Sequence, residues 1–283
     1  MGRDANPPVP ADDWHVALAA LALQVEWGVT DALLDAPLDR RAAGPAEGAG
    51  ARLQAGMAPA PAQPATAGGG EDASPSDIHP ADAIGAARAA AAAAATLGDL
   101  RAAVSAFEMC ELKRGARSTV FADGNPEARV LVLGEAPGRE EDIAGRPFVG
   151  RAGRLLDRMF AAIGLSRGDE SAAGALYITN VAFWRPPGNR EPSPDEIAML
   201  LPFVERHIAL VAPHIIVSMG NTPLFALTGR RGIMRARGQW TEALGRPLLP
   251  MLHPAALLRN PLAKREAWAD LLALRERLAG RSA

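Results

Sequence analysis

This chain of 283 residues has little of what would commit it to a thiolate metal centre, a disulfide framework or a bilayer. Its single cysteine, Cys110, excludes an internal disulfide and a multi-thiolate metal site built from one chain. Aromatic residues make up 5% of the chain against 48% hydrophobic residues overall. Much of the hydrophobic content is alanine, so the core is smaller than the total implies. No apolar run reaches the ~20 residues that cross a bilayer, the run from Val16 to Leu23 being too short. The first ten residues lack the basic start and apolar stretch of a signal peptide. These absences lead us to expect a soluble cytoplasmic protein without a membrane partner.

The net charge of −2 conceals an asymmetry. Residues 1–100 carry 5 Lys+Arg against 13 Asp+Glu, a net of −8, whereas residues 101–283 carry 25 against 19, a net of +6. A basic half is compatible with a polyanionic partner, because neutralised phosphates release counterions. Ordinary surface charge accounts for it equally well until motifs decide.

Three regions follow from composition and periodicity. Residues 1–36 hold a helical segment, opened by Asp12 and Asp13 before an apolar pattern through Leu21, Val25 and Trp27. Residues 37–95 read as a flexible Ala/Gly/Pro-rich linker and spacer with almost no large apolar residues, so burial cannot offset the entropy of ordering them. Within it, Ala86 to Ala95 favours helix by propensity and reads as a spacer helix. Residues 96–283 read as the main folded domain. Thr96 with Asp99 resembles a capping box for a helix through Leu100, Val104 and Phe107. Strand-like runs then alternate with helical ones. The strands are Arg129 to Leu133, Leu176 to Thr179, His214 to Met219 and Leu248 to Leu252, where Pro250 demands a ladder edge or a bulge. Helices are expected from Ala152 to Ile163, from Pro194 to Leu210, from about Thr222, and from Lys264 to Leu278. Such alternation predicts an α/β three-layer sandwich with a central, mostly parallel four-stranded sheet flanked by helices.

Ligands of an open parallel sheet bind beyond the carboxyl ends of its strands. There the first strand is followed by Gly134-Glu-Ala-Pro-Gly138, the second by Asn180, the third by Gly220-Asn221 and the fourth by His253-Pro254. Glu135, Asn180 and His253 therefore share one edge, and a carboxylate, an amide and an imidazole there make a plausible hydrolytic site. Each has a bland alternative: a helix-capping acid, a turn-forming amide and a satisfied loop histidine.

Taken with Gly145-Arg-Pro-Phe-Val-Gly-Arg-Ala-Gly153, Tyr177-Ile-Thr-Asn180, Arg185-Pro-Pro-Gly-Asn-Arg190 and His253-Pro-Ala-Ala-Leu-Leu-Arg259, these segments resemble the family 4 uracil-DNA glycosylases. The matches occur in the family's order from about Cys110 to the end. The resemblance implies a monofunctional enzyme acting as a monomer on uracil-containing DNA, flipping the damaged base into a pocket. It implies Glu135 as the residue that positions water and His253 as the donor to charge developing on the uracil oxygen. Asn180 would read the uracil edge and Phe148 would stack on the base, with Gly134 and Ala136 beside them. Glu141 would stand at the C5 edge, where thymine's methyl is excluded. Leu257 or Leu258 would be a wedge into DNA and Arg259 a phosphate contact. The family usually holds a four-iron cluster on four cysteines, whose positions here are Phe107, Cys110, Trp184 and Leu200. One thiolate cannot hold such a cluster, so no cofactor is expected and packing would take the metal's place.

Other readings are a non-catalytic DNA-binding relative, a glycosylase for another deaminated base such as hypoxanthine or one that traps its product, and an unrelated nucleotide-binding enzyme. The retained polar set argues against the first. Ala136 argues against the trapping relatives, which tend to carry Gln there. The last is disfavoured because Gly134 to Gly138 lacks the Lys-Ser/Thr ending of a phosphate loop.

Overall fold

A computed structural model describes residues 80–280. The expected helix around Trp14 and most of the expected linker lie outside the described residues. In chain order the described helices are α1 (Pro80–Ala93), α2 (Leu97–Ala106), α3 (Leu112–Gly115), α4 (Arg139–Ala144) and α5 (Arg151–Ala161). They continue with α6 (Pro194–Val211), α7 (Asn221–Thr228), α8 (Ile233–Ala236), α9 (Pro254–Arg259) and α10 (Lys264–Ala279). The strands are β1 (Ala122–Gly124), β2 (Val130–Gly134), β3 (Leu176–Asn180), β4 (Ile215–Met219), β5 (Thr241–Ala243) and β6 (Arg246–Met251).

The strands form one sheet in the order β1-β3-β2-β4-β6-β5. Its four middle strands are parallel, and β1 and β5 add antiparallel edges. The sheet is thus the expected parallel four with two short strands beyond it. Those two escape a sequence reading because three residues such as Ala-Asp-Gly carry no alternation to detect. Successive residues of a strand face opposite ways, and the core divides accordingly. Leu131, Leu133, Tyr177, Ile216 and Leu248 pack beneath side chains of α1, α2 and α6. Val130, Val132, Ile178, Val217 and Leu249 pack on the other face with Leu156 and Phe160 of α5 and Leu271 and Leu274 of α10. The result is a three-layer α/β sandwich. No described helix is long and apolar enough to cross a membrane.

Side-chain caps open two of the helices. Thr96 and Asp99 complete a reciprocal capping box at α2, and Ser193 with Glu196 does the same at α6, where Pro194 occupies the first turn. Pro250 lies past Leu248, the last residue of β6 paired to β5, so its missing N–H falls where the outer neighbour has ended.

The alanine-rich stretch departs from the spacer expected of it. It is helical, but Ala83, Ala87 and Ala91 form one buried stripe in the same core as Phe203 and Val204 of α6. Methyl side chains let the two helices approach closely, and the Arg206 guanidinium of α6 donates to the Ala94 carbonyl at 2.8 and 2.6 Å. Composition reads such a segment as low complexity because alanine carries no amphipathic contrast, although it packs well.

Candidate active site

The carboxyl ends of the middle strands bring the polar residues together. Gly134 and Asn180 are register partners in β2 and β3. The chain leaving β2 stays tied to β3, since Val181 N donates to Gly134 O at 3.0 Å and Ala182 N to Glu135 O at 2.9 Å. Gly220 N donates to Met251 O at 3.0 Å, which brings the exit of β4 beside the chain leading to His253. A side chain at Gly134 is excluded, because a Cβ there would lie 2.2 Å from Asn180 Oδ1 and 2.6 Å from the Phe148 ring. The bare α-carbon lets amide and ring meet.

A cavity of about 380 Å³ opens at this edge, formed by Glu135, Ala136, Glu141, Phe148, Asn180 and His253 with Pro186, Asn189, Arg190 and Arg259 among its other walls, while Gly134 lies behind Asn180 and Phe148 and is not itself a wall. Burial pushes the Glu135 carboxyl above its ordinary range, partly opposed by the Thr222 hydroxyl, which donates to Oε2 at 2.7 Å. Asn180 is 2% exposed and its Oδ1 has no hydrogen-bond partner among the described residues. A buried orphan acceptor is costly unless a ligand completes it. At His253, Nδ1 accepts from Ala255 N at 3.1 Å, so the neutral ring carries its proton on Nε2. Burial, helped by the charge of Arg259, lowers this imidazole to about 4 and keeps it neutral near pH 7.

Phe148 is 6% exposed and stacks on His253 with ring centroids 5.4 Å apart. Its backbone is left-handed, φ 53°, a rare conformation for a bulky residue and one that gathers at functional sites. The Glu141 carboxylate is fully engaged nearby: Oε1 accepts from Val149 N and Gly150 N, each at 3.0 Å, and Oε2 from Gly138 N at 3.1 Å. Glu141 thus walls the cavity as a rigid tie between its two loops.

One expectation is corrected. Leu257 is fully buried among Leu155, Leu224, Ile233, Leu252 and Ala267, so it anchors α9 and presents nothing to DNA as a wedge. Leu258 is partly buried against the same cluster, while Arg259 is exposed at the cavity rim. The Arg185 to Arg190 segment, matched in the sequence but given no site role there, supplies the cavity walls Pro186, Asn189 and Arg190, and the sequence reading assigned none of them. It also overlooked Thr222. The one available signal was its place just after β4, at the edge where the other polar residues gather.

The positions implied for a cluster, Phe107, Cys110, Trp184 and Leu200, all lie buried in one apolar core. Phe107 makes an edge-to-face contact with Phe203, centroids 5.2 Å apart, and Trp184 Nε1 donates to Thr119 Oγ1 at 3.0 Å. Burial raises the Cys110 thiol to about 11, so it stays protonated. Phe107, Trp184 and Leu200 offer no thiolate, and Cys110 alone does not fit a cluster that needs four.

The carboxyl edge of the four parallel strands of this α/β fold thus gathers a carboxylate, an orphan amide, a neutral imidazole and an aromatic face around one cavity. The family model of the uracil DNA glycosylase superfamily matches residues 121–272, more than half of the chain, and the protein belongs to that superfamily. The chain is 40% identical over 154 residues to a type-4 uracil-DNA glycosylase of Thermotoga maritima, covering 53% of this chain and 77% of the relative. It is 37% identical over 184 residues to the type-4 uracil-DNA glycosylase of Saccharolobus solfataricus, covering 62% and 82%. With the Archaeoglobus fulgidus type-4 uracil-DNA glycosylase it shares 36% over 185 residues, 62% and 89% of the two chains.

Proposed function

We propose that this protein is a monofunctional uracil-DNA glycosylase, hydrolysing the N-glycosidic bond of deoxyuridine flipped out of DNA and so opening base excision repair. It is a DNA glycosylase by family. The observation that carries the substrate reading is the buried, unpartnered Asn180 Oδ1 in one cavity with a neutral His253. An acceptor with no partner matches the N3–H of uracil, and the same amide's NH₂ matches the adjacent carbonyl. Phe148 offers a face for the ring. Glu141, held rigid by three backbone amides, stands at the C5 edge, where thymine's extra methyl would meet it.

In the reaction the bond between C1′ and N1 breaks with its electron pair leaving on the base. The sugar becomes cationic and the uracil anionic. Glu135 as carboxylate steadies the cationic sugar and takes a proton from the water that attacks C1′. The His253 Nε2–H donates to the uracil oxygen on which charge collects, and the released base then takes a proton from solvent. No lysine lines the cavity among the described residues, which supports water rather than an amine as nucleophile. Arg259 at the rim is suited to a phosphate.

The test uses oligonucleotides holding a single uracil, hypoxanthine or mispaired thymine, incubated with the protein and cleaved with alkali at abasic sites. Cleavage at uracil alone is expected. An intact uracil strand overturns the reading, and cleavage at hypoxanthine overturns the assigned specificity.

A further inference from the structure

We propose that Arg167, which lies outside every segment singled out above, is the positioning residue for the base-stacking face of the cavity. Its side chain is 16% exposed and its guanidinium is saturated. Nη1 donates to Pro147 O at 2.9 Å and Nη2 to Phe148 O at 3.0 Å. Nη1 also donates to Asp123 Oδ2 at 2.9 Å and Nε to Asp157 Oδ1 at 2.8 Å. The two carbonyls matter because their directions define φ and ψ of the residue between them. Rotation about φ of Phe148 swings the Pro147 carbonyl, and rotation about ψ swings its own. One planar guanidinium therefore fixes both torsions of the residue whose φ is 53°.

The neighbouring structure is built to the same end. Gly153 must be glycine, since a Cβ there would lie 1.8 Å from Phe148 O. The next two backbone N–H groups are held by Glu141 Oε1. A left-handed phenylalanine relaxes toward ordinary φ when its restraints are removed, because its Cβ crowds the backbone there. Relaxation would carry the ring away from Gly134 and out of its stack on His253. The two carboxylates Asp123 and Asp157 hold the guanidinium in register for this task. A lysine could offset their charge, but one ammonium cannot span both carbonyls with the geometry of a fork.

This role rests on the proposed uracil reading, and its test separates the two. Arg167→Lys and Arg167→Gln are compared with Asp157→Asn, which removes an ion-pair partner at the surface without touching either carbonyl bond. Three quantities are read: inhibition by free uracil, single-turnover excision at saturating enzyme, and binding to DNA bearing a tetrahydrofuran abasic analogue. Both Arg167 variants should lose about tenfold in free-uracil affinity and at least as much in excision rate, while abasic DNA binds within about twofold of wild type. Asp157→Asn, which leaves both carbonyl bonds in place and loosens only one carboxylate, should lose less free-uracil affinity and rate than either Arg167 variant and bind abasic DNA as wild type does. If Arg167→Gln fails to fold, Arg167→Lys decides, because it retains the charge beside Asp123 and Asp157. Wild-type uracil affinity and rate in Arg167→Lys, or an equal loss of all three quantities, overturns the positioning role. Wild-type protein that leaves uracil in place overturns the proposed function itself, and this role with it.

Discussion

Replacing His253 by alanine removes a donor whose state the structure defines closely. The Ala255 N–H occupies Nδ1, so the neutral ring presents Nε2–H to the cavity. Its lowering from 6.5 to about 4 makes protonation costlier than in water by up to ~3 kcal/mol, less whatever solvent screens at the ring's exposed edge. At neutral pH the imidazolium is then a negligible fraction. A neutral donor aimed at charge that forms only in the transition state is worth about 10²–10³-fold in rate. His253→Ala should lose that much in single-turnover excision of uracil, with binding to the same DNA largely kept. His253→Gln, which retains an N–H, should recover part of the loss. The pH behaviour is the sharper test. A depressed histidine contributes stability that is complete above 6.5 and is lost as pH falls from 6.5 toward about 4. His253→Ala should therefore lose less stability than wild type over that window when melting is followed by circular dichroism. Near-wild-type excision in His253→Ala would refute the assignment. A wild-type rate that halves near pH 6.5, with that limb absent from the variant, would refute the neutral ring.

Further outcomes follow from the other buried groups. Glu135→Gln should cut excision by about 10²–10⁴-fold yet raise the melting temperature at pH 7.5, because burial makes the ionised carboxylate costly; the gain should vanish as pH falls below 4.5, and unchanged melting at pH 7.5 would count against that cost. Asn180→Asp keeps the shape but can only accept hydrogen bonds when ionised, so uracil excision should collapse while cytosine, which offers a donor at its 4-position, becomes a weak substrate in the same alkali-cleavage assay. A chain beginning at residue 79 should match the whole protein in excision, whereas one beginning at Thr96 should melt several degrees lower, having lost the alanine stripe and the Ala94 acceptor of Arg206. Purified protein should carry no stoichiometric iron and no visible absorbance band, since three of the four implied cluster positions, Phe107, Trp184 and Leu200, have no thiolate to offer.

Much of the fold and the polar edge was readable along the chain, because both depend on short-range regularities. Alternating strand and helix periods specify a parallel sheet, and topology alone then brings Glu135, Asn180 and His253 to its carboxyl edge. The capping box at Thr96 is local chemistry, and it marked its helix start closely. Three-residue edge strands, the packing of an alanine helix and the burial of Leu257 depend on partners distant in sequence. The Thr222 hydroxyl reaches a carboxylate 87 residues earlier. Arg167 meets its carbonyls at Pro147 and Phe148 only because α5 turns the chain back between them. The linear sequence determined which functional groups arrive at the site. Tertiary packing decided their chemical state, since the neutrality of His253, the raised pKa of Glu135, the orphan oxygen of Asn180 and the left-handed turn of Phe148 all arise from burial and from bonds that form only when distant segments meet.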